Sequence, residues 1–99
     1  MKVAFEWDGG NDVKSYTKHG VSRQEAESVF QDDRKLHFSD PFHSKGERRY
    51  ITVGRSAHPR ILFIAWTLRG TKVRIISARP ASRKERKVYE EKNKGKKRA

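Results

Sequence analysis

The apolar run Ile61-Leu-Phe-Ile-Ala-Trp66 meets a second run, containing Val73, Ile75 and Ile76, across Arg69-Gly70-Thr71. β-Branched and aromatic residues fit a pleated surface, and a glycine between two such runs marks a tight turn, so the pair reads as a β-hairpin. A third run, residues 48–54 with Tyr50, Ile51 and Val53, is turned into the first by Ser56-Ala-His-Pro59. Three strands with short connections predict an antiparallel meander. The rest of a 99-residue chain must pack on or around that sheet.

Residues 3–7 predict a short first strand, ended by Asp8-Gly9-Gly10. Residues 11–19 predict a short helix with Val13 and Tyr16 on one side and Gly20 as its stop. Ser22-Arg-Gln-Glu25 has capping-box spacing, and Ala26, Val29 and Phe30 give an apolar stripe, so a helix spans 23–31. Residues 35–39 read as a weak strand, and the turn-rich stretch from Ser39 to Gly46 as a connection. A second capping-box pattern, Ser82-Arg-Lys-Glu85, opens a helix to about Glu91, with Val88 and Tyr89 as its few packing residues. That helix should cross an end or edge of the sheet. The expected fold is α+β: one domain over residues 1–91, with two N-terminal helices, a mostly antiparallel sheet and a C-terminal helix. A basic flexible tail follows over 92–99.

Charge narrows the function. Thirteen of the 24 Lys and Arg lie from Arg69 onward, against three of the twelve Asp and Glu, so that stretch holds +10 of the +12 net charge. A polyanion is the partner to expect. Cysteine is absent, so neither disulfides nor thiol chemistry is available. No stretch approaches the roughly 20 apolar residues of a membrane span, and the first residues lack signal-peptide form, which leads to a cytoplasmic expectation.

Arg74 and Arg79 are the leading candidate site residues, because a guanidinium stays charged and presents a planar fork of donors to phosphate. Arg74 alternates with Val73 and Ile75 and should leave the face on which they pack. Arg55, at the end of another predicted strand, extends the pair towards a cluster; each of the three also reads as an ordinary solvated charge. His19, His37, His43 and His58 have no compact ligand spacing, so neither a metal nor another cofactor is expected. Lys18-His19 at a predicted helix end has two readings, a proton shuttle and a cap that favours the helix dipole. Trp7, Trp66, Phe5 and Phe63 read as core more readily than as base-stacking residues, while Tyr50 and Tyr16 are better placed for exposure. Glu47 is expected to pair with Arg48 or Arg49.

Taken in order, Phe5-Glu-Trp-Asp8, Asn11, Lys18-His-Gly-Val-Ser22, Glu25-Ala26, Val29-Phe30, Asp32-Asp33, Asp40, His43-Ser44, Glu47-x-Arg49, Gly54-Arg55-Ser56 and Arg74-Ile-Ile-Ser-Ala-Arg79, followed by Arg83, Glu85-Arg86 and Tyr89, form a specific set. This set resembles the BrnT family of bacterial toxins over residues 3–91. The resemblance implies a RelE-like fold and a toxin of a type II toxin–antitoxin pair. It implies endoribonuclease activity that slows translation, needing no metal. It also implies neutralisation by a BrnA-like antitoxin with a ribbon-helix-helix domain, in a complex of two toxins and two antitoxins that reaches operator DNA through the antitoxin. Catalytic roles then fall on Arg74, Arg79, His19 and Lys18, and RNA contacts on Arg55, Arg83 and Tyr50. The competing reading is a non-enzymatic basic module that binds nucleic acid or acts as a co-repressor.

Overall fold

The computed structural model describes residues 3–7, 19–40 and 46–94. Among these, five strands form one sheet: β1 (Phe5–Glu6), β2 (Leu36–Ser39), β3 (Arg49–Arg55), β4 (Ile61–Arg69) and β5 (Lys72–Pro80). Their spatial order is β1-β5-β4-β3-β2. Strands β2 to β5 form the antiparallel meander that the alternating runs predict, and β1 adds to β5 in parallel. Arg69 pairs with Lys72, which leaves Gly70 and Thr71 as a two-residue turn, with Gly70 at φ +63°. That backbone conformation favours glycine and matches the twist of the flanking strands.

Side chains alternate across the sheet, so each strand feeds two different layers. On one face Leu62, Ile64, Val73, Ile75 and Ala78 bury against Val21, Ala26, Val29 and Phe30, with Phe5, Trp7 and Trp66 packed around them. Those helix-side residues come from α1 (Arg23–Ser28) and the 3₁₀ turn Val29–Gln31 that continues it. The expected single helix over 23–31 is therefore α-helical only to Ser28. On the other face α2 (Arg83–Lys92) sets Tyr89 against Val53, Ile61 and Ala81, beside Leu36, Ile51 and Phe63.

The pairing of β4 with β5 slips once. Ala65 pairs with Ser77 but Trp66 pairs with Ile75, so Ile76 is an extra residue, a β-bulge. Residues five apart on a regular strand point to opposite faces. The bulge reverses that parity. Val73, Ile75 and Ala78 can then all enter one core, while Arg74 and Arg79 share the opposite face.

The two predicted capping boxes end differently. At α2 the Ser82 hydroxyl accepts from the Glu85 amide at 3.1 Å, and Glu85 Oε1 accepts from the Ser82 amide at 2.8 Å. At α1 Ser22 makes its half of the box, but Glu25 is drawn elsewhere. Its buried carboxylate takes Nε and Nη2 of Arg60 at 2.7 Å each and the Ser56 hydroxyl at 2.7 Å. A bidentate guanidinium answers more of a buried charge than one backbone amide can. This network clamps the β3–β4 turn to the start of α1, and Arg60 also donates to the carbonyl of Gly20. Gly20 has φ +67°, the left-handed conformation that a helix stop requires. The helix expected over 11–19, apart from His19, lies outside the described residues, as do Pro41 to Lys45 with His43 and Ser44, and the tail beyond Lys94. Glu47 pairs with Arg69 at 3.6 Å, across the sheet end, rather than with the adjacent Arg48 or Arg49.

Candidate nucleic-acid interface

The face of the sheet away from α1 carries arginines in rows set by strand register. One row crosses four strands: Glu6 on β1, Arg74 on β5, Thr67 on β4 and Arg49 on β3. At about 4.8 Å between strands, it spans about 14 Å. Further along the strands, Arg79 pairs with Phe63, which pairs with Val53, and Arg55 pairs with Ile61. The Arg74 and Arg79 rows lie four β4 positions apart, about 13 Å. Between them the floor is Ser77, Ala65 and Ile51, small enough at its centre to leave the arginines standing above it. The two rows thus make one cationic face with a floor between them, here termed the trough.

Arg79 is firmly held. Its guanidinium lies 4.0 Å from the centroid of the Phe63 ring, and Nη1 and Nη2 donate to Glu85 Oε1 and Oε2 at 2.9 Å each. The same Oε1 closes the α2 capping box, so the start of that helix orients the arginine. Burial works against the Glu85 charge, but Arg79 and the Ser82 amide outweigh it and hold its carboxyl below the usual range. The pair is half-buried, which leaves the outer edge of the guanidinium open.

Arg55 is exposed at the end of β3, and its backbone is pinned. Asp32 Oδ2 accepts from the Arg55 amide at 2.8 Å and from the Tyr89 hydroxyl at 2.7 Å, while Oδ1 accepts from the Arg34 amide at 3.0 Å. Burial opposes ionisation of Asp32, yet these donors together keep its carboxyl below the usual range. Burial and then the Asp32 carboxylate push Tyr89 the other way, to about 12. Asp32 thereby ties the chain after α1, the end of β3 and α2 into one corner. Gly54 belongs to the same corner: a Cβ there would meet Lys35 Cβ and Val29 Cγ1 at 3.0 Å and Asp32 Oδ2 at 3.1 Å.

The structure groups the expected site residues unevenly. Arg55, Arg74 and Arg79 share the trough face. Arg83 is exposed on the first turn of α2, next to Glu85's corner. His19 is half-buried beside Gly20, at the Arg60 end of the sheet rather than near Arg74. Lys18 lies outside the described residues. Tyr50 points to the other face, stacked on Trp66 with ring centroids 4.7 Å apart, so it does not stand among the arginines. There Trp66 donates to Thr52 Oγ1 at 2.7 Å, and the same oxygen lies 2.7 Å from His37 Nδ1. Burial, then Lys35, push the His37 pKa down, which keeps the ring neutral. Sequence reasoning assigned no site role to Glu6, Arg49, Asp32 or Glu85. Arg49 was within reach of it, since it alternates with Ile51 and Val53 as Arg74 does with Val73 and Ile75.

A small meander with a parallel edge strand, capped by helices, is the architecture of a RelE-like fold. The crystal structure at 1.1 Å of the Brucella abortus ribonuclease toxin BrnT shares it, with a TM-score of 0.62 at 20% identity over 83% of this chain and 100% of that one. The family model described as the ribonuclease toxin BrnT of type II toxin–antitoxin systems matches residues 7–85, and the chain belongs to that family. A search of curated proteins finds no match. Among the described residues no three His, Asp or Glu side chains converge as a metal site, and no helix is long and apolar enough to cross a membrane.

Proposed function

We propose that the arginine trough is the surface on which this toxin binds and cleaves RNA, and that cleavage slows translation. The observation that carries the reading is the co-facial placement of Arg74 and Arg79 over a small-residue floor, achieved by the Ile76 bulge in a chain of ribonuclease-toxin family. In the proposed reaction the ribose 2′-oxygen attacks the adjacent phosphorus and the 5′-oxygen leaves. The products are a 2′,3′-cyclic phosphate and a 5′-hydroxyl. Arg74 and Arg79 grip the RNA backbone about the scissile bond and offset the charge that grows at the reacting phosphate, while Arg55 and Arg83 bind flanking phosphates. His19, at the Arg60 end, and Lys18 serve in substrate holding or proton transfer. Tyr50, on the other face, has a packing role in this reading. Guanidinium groups supply the positive charge that the transition state needs, so the reaction runs without a metal.

The partner is a BrnA-like ribbon-helix-helix antitoxin, two copies with two toxins, through which the complex reaches operator DNA. Family membership supports the pairing, and the strong net positive charge suits an acidic inhibitory segment. The basic tail from residue 92 adds salt-dependent, sequence-independent affinity for nucleic acid.

The test incubates purified antitoxin-free protein with a defined single-stranded RNA in EDTA, beside Arg79→Ala. Products ending in 2′,3′-cyclic phosphate, lost in the variant, are the expected result. Cleavage that Arg79→Ala leaves intact removes this arginine from the site. RNA bound but never cut, with or without ribosomes, selects the non-enzymatic binding module instead.

A further inference from the structure

Within the cleavage reaction just proposed, we infer that Glu6 is the catalytic base, the group that takes the proton from the attacking 2′-hydroxyl. The inference rests on that reading of the trough and adds a group to it. Glu6 occupies the β1 end of the row that continues through Arg74, Thr67 and Arg49. Its neighbour Phe5 packs into the helix-side core against Phe30, so alternation turns Glu6 to the arginine face. Paired residues on adjacent strands stand about 5 Å apart, which puts this carboxylate beside a guanidinium proposed to grip the backbone about the scissile bond.

Glu6 Oε1 is buried and has no hydrogen-bond partner. A buried acceptor without a donor is costly, and folded proteins keep few of them. The other carboxylates that brace this fold are fully committed. Glu25 is held by Arg60 and Ser56, Asp32 by two amides and the Tyr89 hydroxyl, and Glu85 by Arg79 and Ser82. All three have carboxyl groups held below the usual range, which makes them poor proton acceptors. Among the described residues, Glu6 Oε1 is the buried side-chain oxygen left without a hydrogen-bond partner. Glu6 as a whole is only half-buried, so its carboxylate can present an oxygen to the 2′-hydroxyl of bound RNA. Rotation about the terminal carboxylate bond is soft, so either oxygen can turn to meet it.

The step balances as follows. The 2′-O–H bond breaks and its proton passes to Glu6, the 2′-oxygen forms a bond to phosphorus, and the bond from phosphorus to the 5′-oxygen breaks. That oxygen takes a proton from water, and Glu6 returns its own to solvent. Arg74, the charged group facing Glu6 from β5, stabilises both the carboxylate and the phosphoryl oxygens.

The experiment measures single-turnover cleavage of a defined RNA by wild type, Glu6→Gln and Glu6→Asp, across pH and with RNA affinity and thermal unfolding read in parallel. The amide keeps the size of the side chain and removes its basicity. Glu6→Gln should bind RNA within a few-fold of wild type, cleave about 10²–10⁴-fold more slowly, and lose the rise of rate with pH that a catalytic base gives the wild type. Glu6→Asp should cleave at an intermediate rate and keep that rise, shifted. A Glu6→Gln rate near wild type, or an unchanged pH profile, overturns the assignment while leaving the cleavage reading intact. A fall in rate matched by an equal fall in affinity reduces Glu6 to a residue that holds Arg74, and so overturns it too. Should Glu6→Gln not fold, a pH profile unmoved in Glu6→Asp overturns it. Wild-type protein that cleaves nothing, with or without ribosomes, removes the reaction and its base together.

Discussion

The helix-side face of the sheet buries Leu62, Ile64, Ile75 and Ala78 under α1 and its 3₁₀ extension, whereas the opposite face leaves Arg49, Arg74 and Arg79 half-exposed above Ala65 and Ser77. The two faces are built from the same three strands, residue by alternate residue. On the first, the strands spend nearly every side chain on packing. On the second, the buried hydrophobic cluster lies under Tyr89, and the arginines share the face with it. A domain of this size has few residues to spare, so stability and chemistry are separated by face rather than by region of the chain.

Substitutions should therefore sort by face. The largest effect on stability belongs to Ile64→Ala on the helix side: loss of about 2–5 kcal/mol, read by denaturant unfolding. Its activity should fall only as far as the folded fraction does. Arg79→Ala on the open face should do the reverse, cutting cleavage by about 10²–10³-fold, as removal of a transition-state donor does, with a smaller loss of stability than Ile64→Ala from the unpaired Glu85 carboxylate. If the two variants lose stability and activity in the same ratio, the separation by face is wrong.

Asp32→Ala sits on the boundary and should affect both. It leaves the Tyr89 hydroxyl and the Arg55 and Arg34 amides without their acceptor, at a cost of about 1–3 kcal/mol. Acid sensitivity sharpens this. Asp32, Glu25 and Glu85 all have folded-state pKa values below their unfolded ones. Their stabilisation is thus complete above the unfolded carboxylate range, about pH 4, and is lost as pH falls through the depressed values. Urea unfolding between pH 7 and pH 2 should show that loss in wild type, and a shallower one in Asp32→Ala. The smallest change is expected at exposed Arg83. Its alanine variant should fold normally and lower the slope of log affinity against log salt by about 0.7, the value for one single-strand phosphate contact.

Much of this molecule was legible before folding. The meander, the turn at Gly70, the helix starts at Ser22 and Ser82, and the outward aim of Arg74 follow from period-two alternation, turn chemistry and capping patterns, all of them local. The parallel addition of β1 was not legible, because it joins residues about 68 apart in the chain and no short-range rule specifies such a pair. The face taken by Tyr50 was not legible for a related reason: alternation says that it opposes Ile51, but not which face will hold the arginines.

The parity of Arg74 and Arg79 marks the division most sharply. Five residues apart on a strand, they belong on opposite faces by sequence spacing. Only the slip at Ile76, imposed by pairing β5 against β4, turns them to the same side. Glu25 likewise reads as a capping residue until tertiary packing brings Arg60 to it from 35 positions away. The sequence determined the elements, their order and the excess of positive charge, because those depend on neighbours within a few residues. Tertiary structure decided which charges meet, which carboxylates are spent on holding the fold, and which one keeps an oxygen unclaimed. Those outcomes depend on register and burial, and both are settled only when distant segments pack.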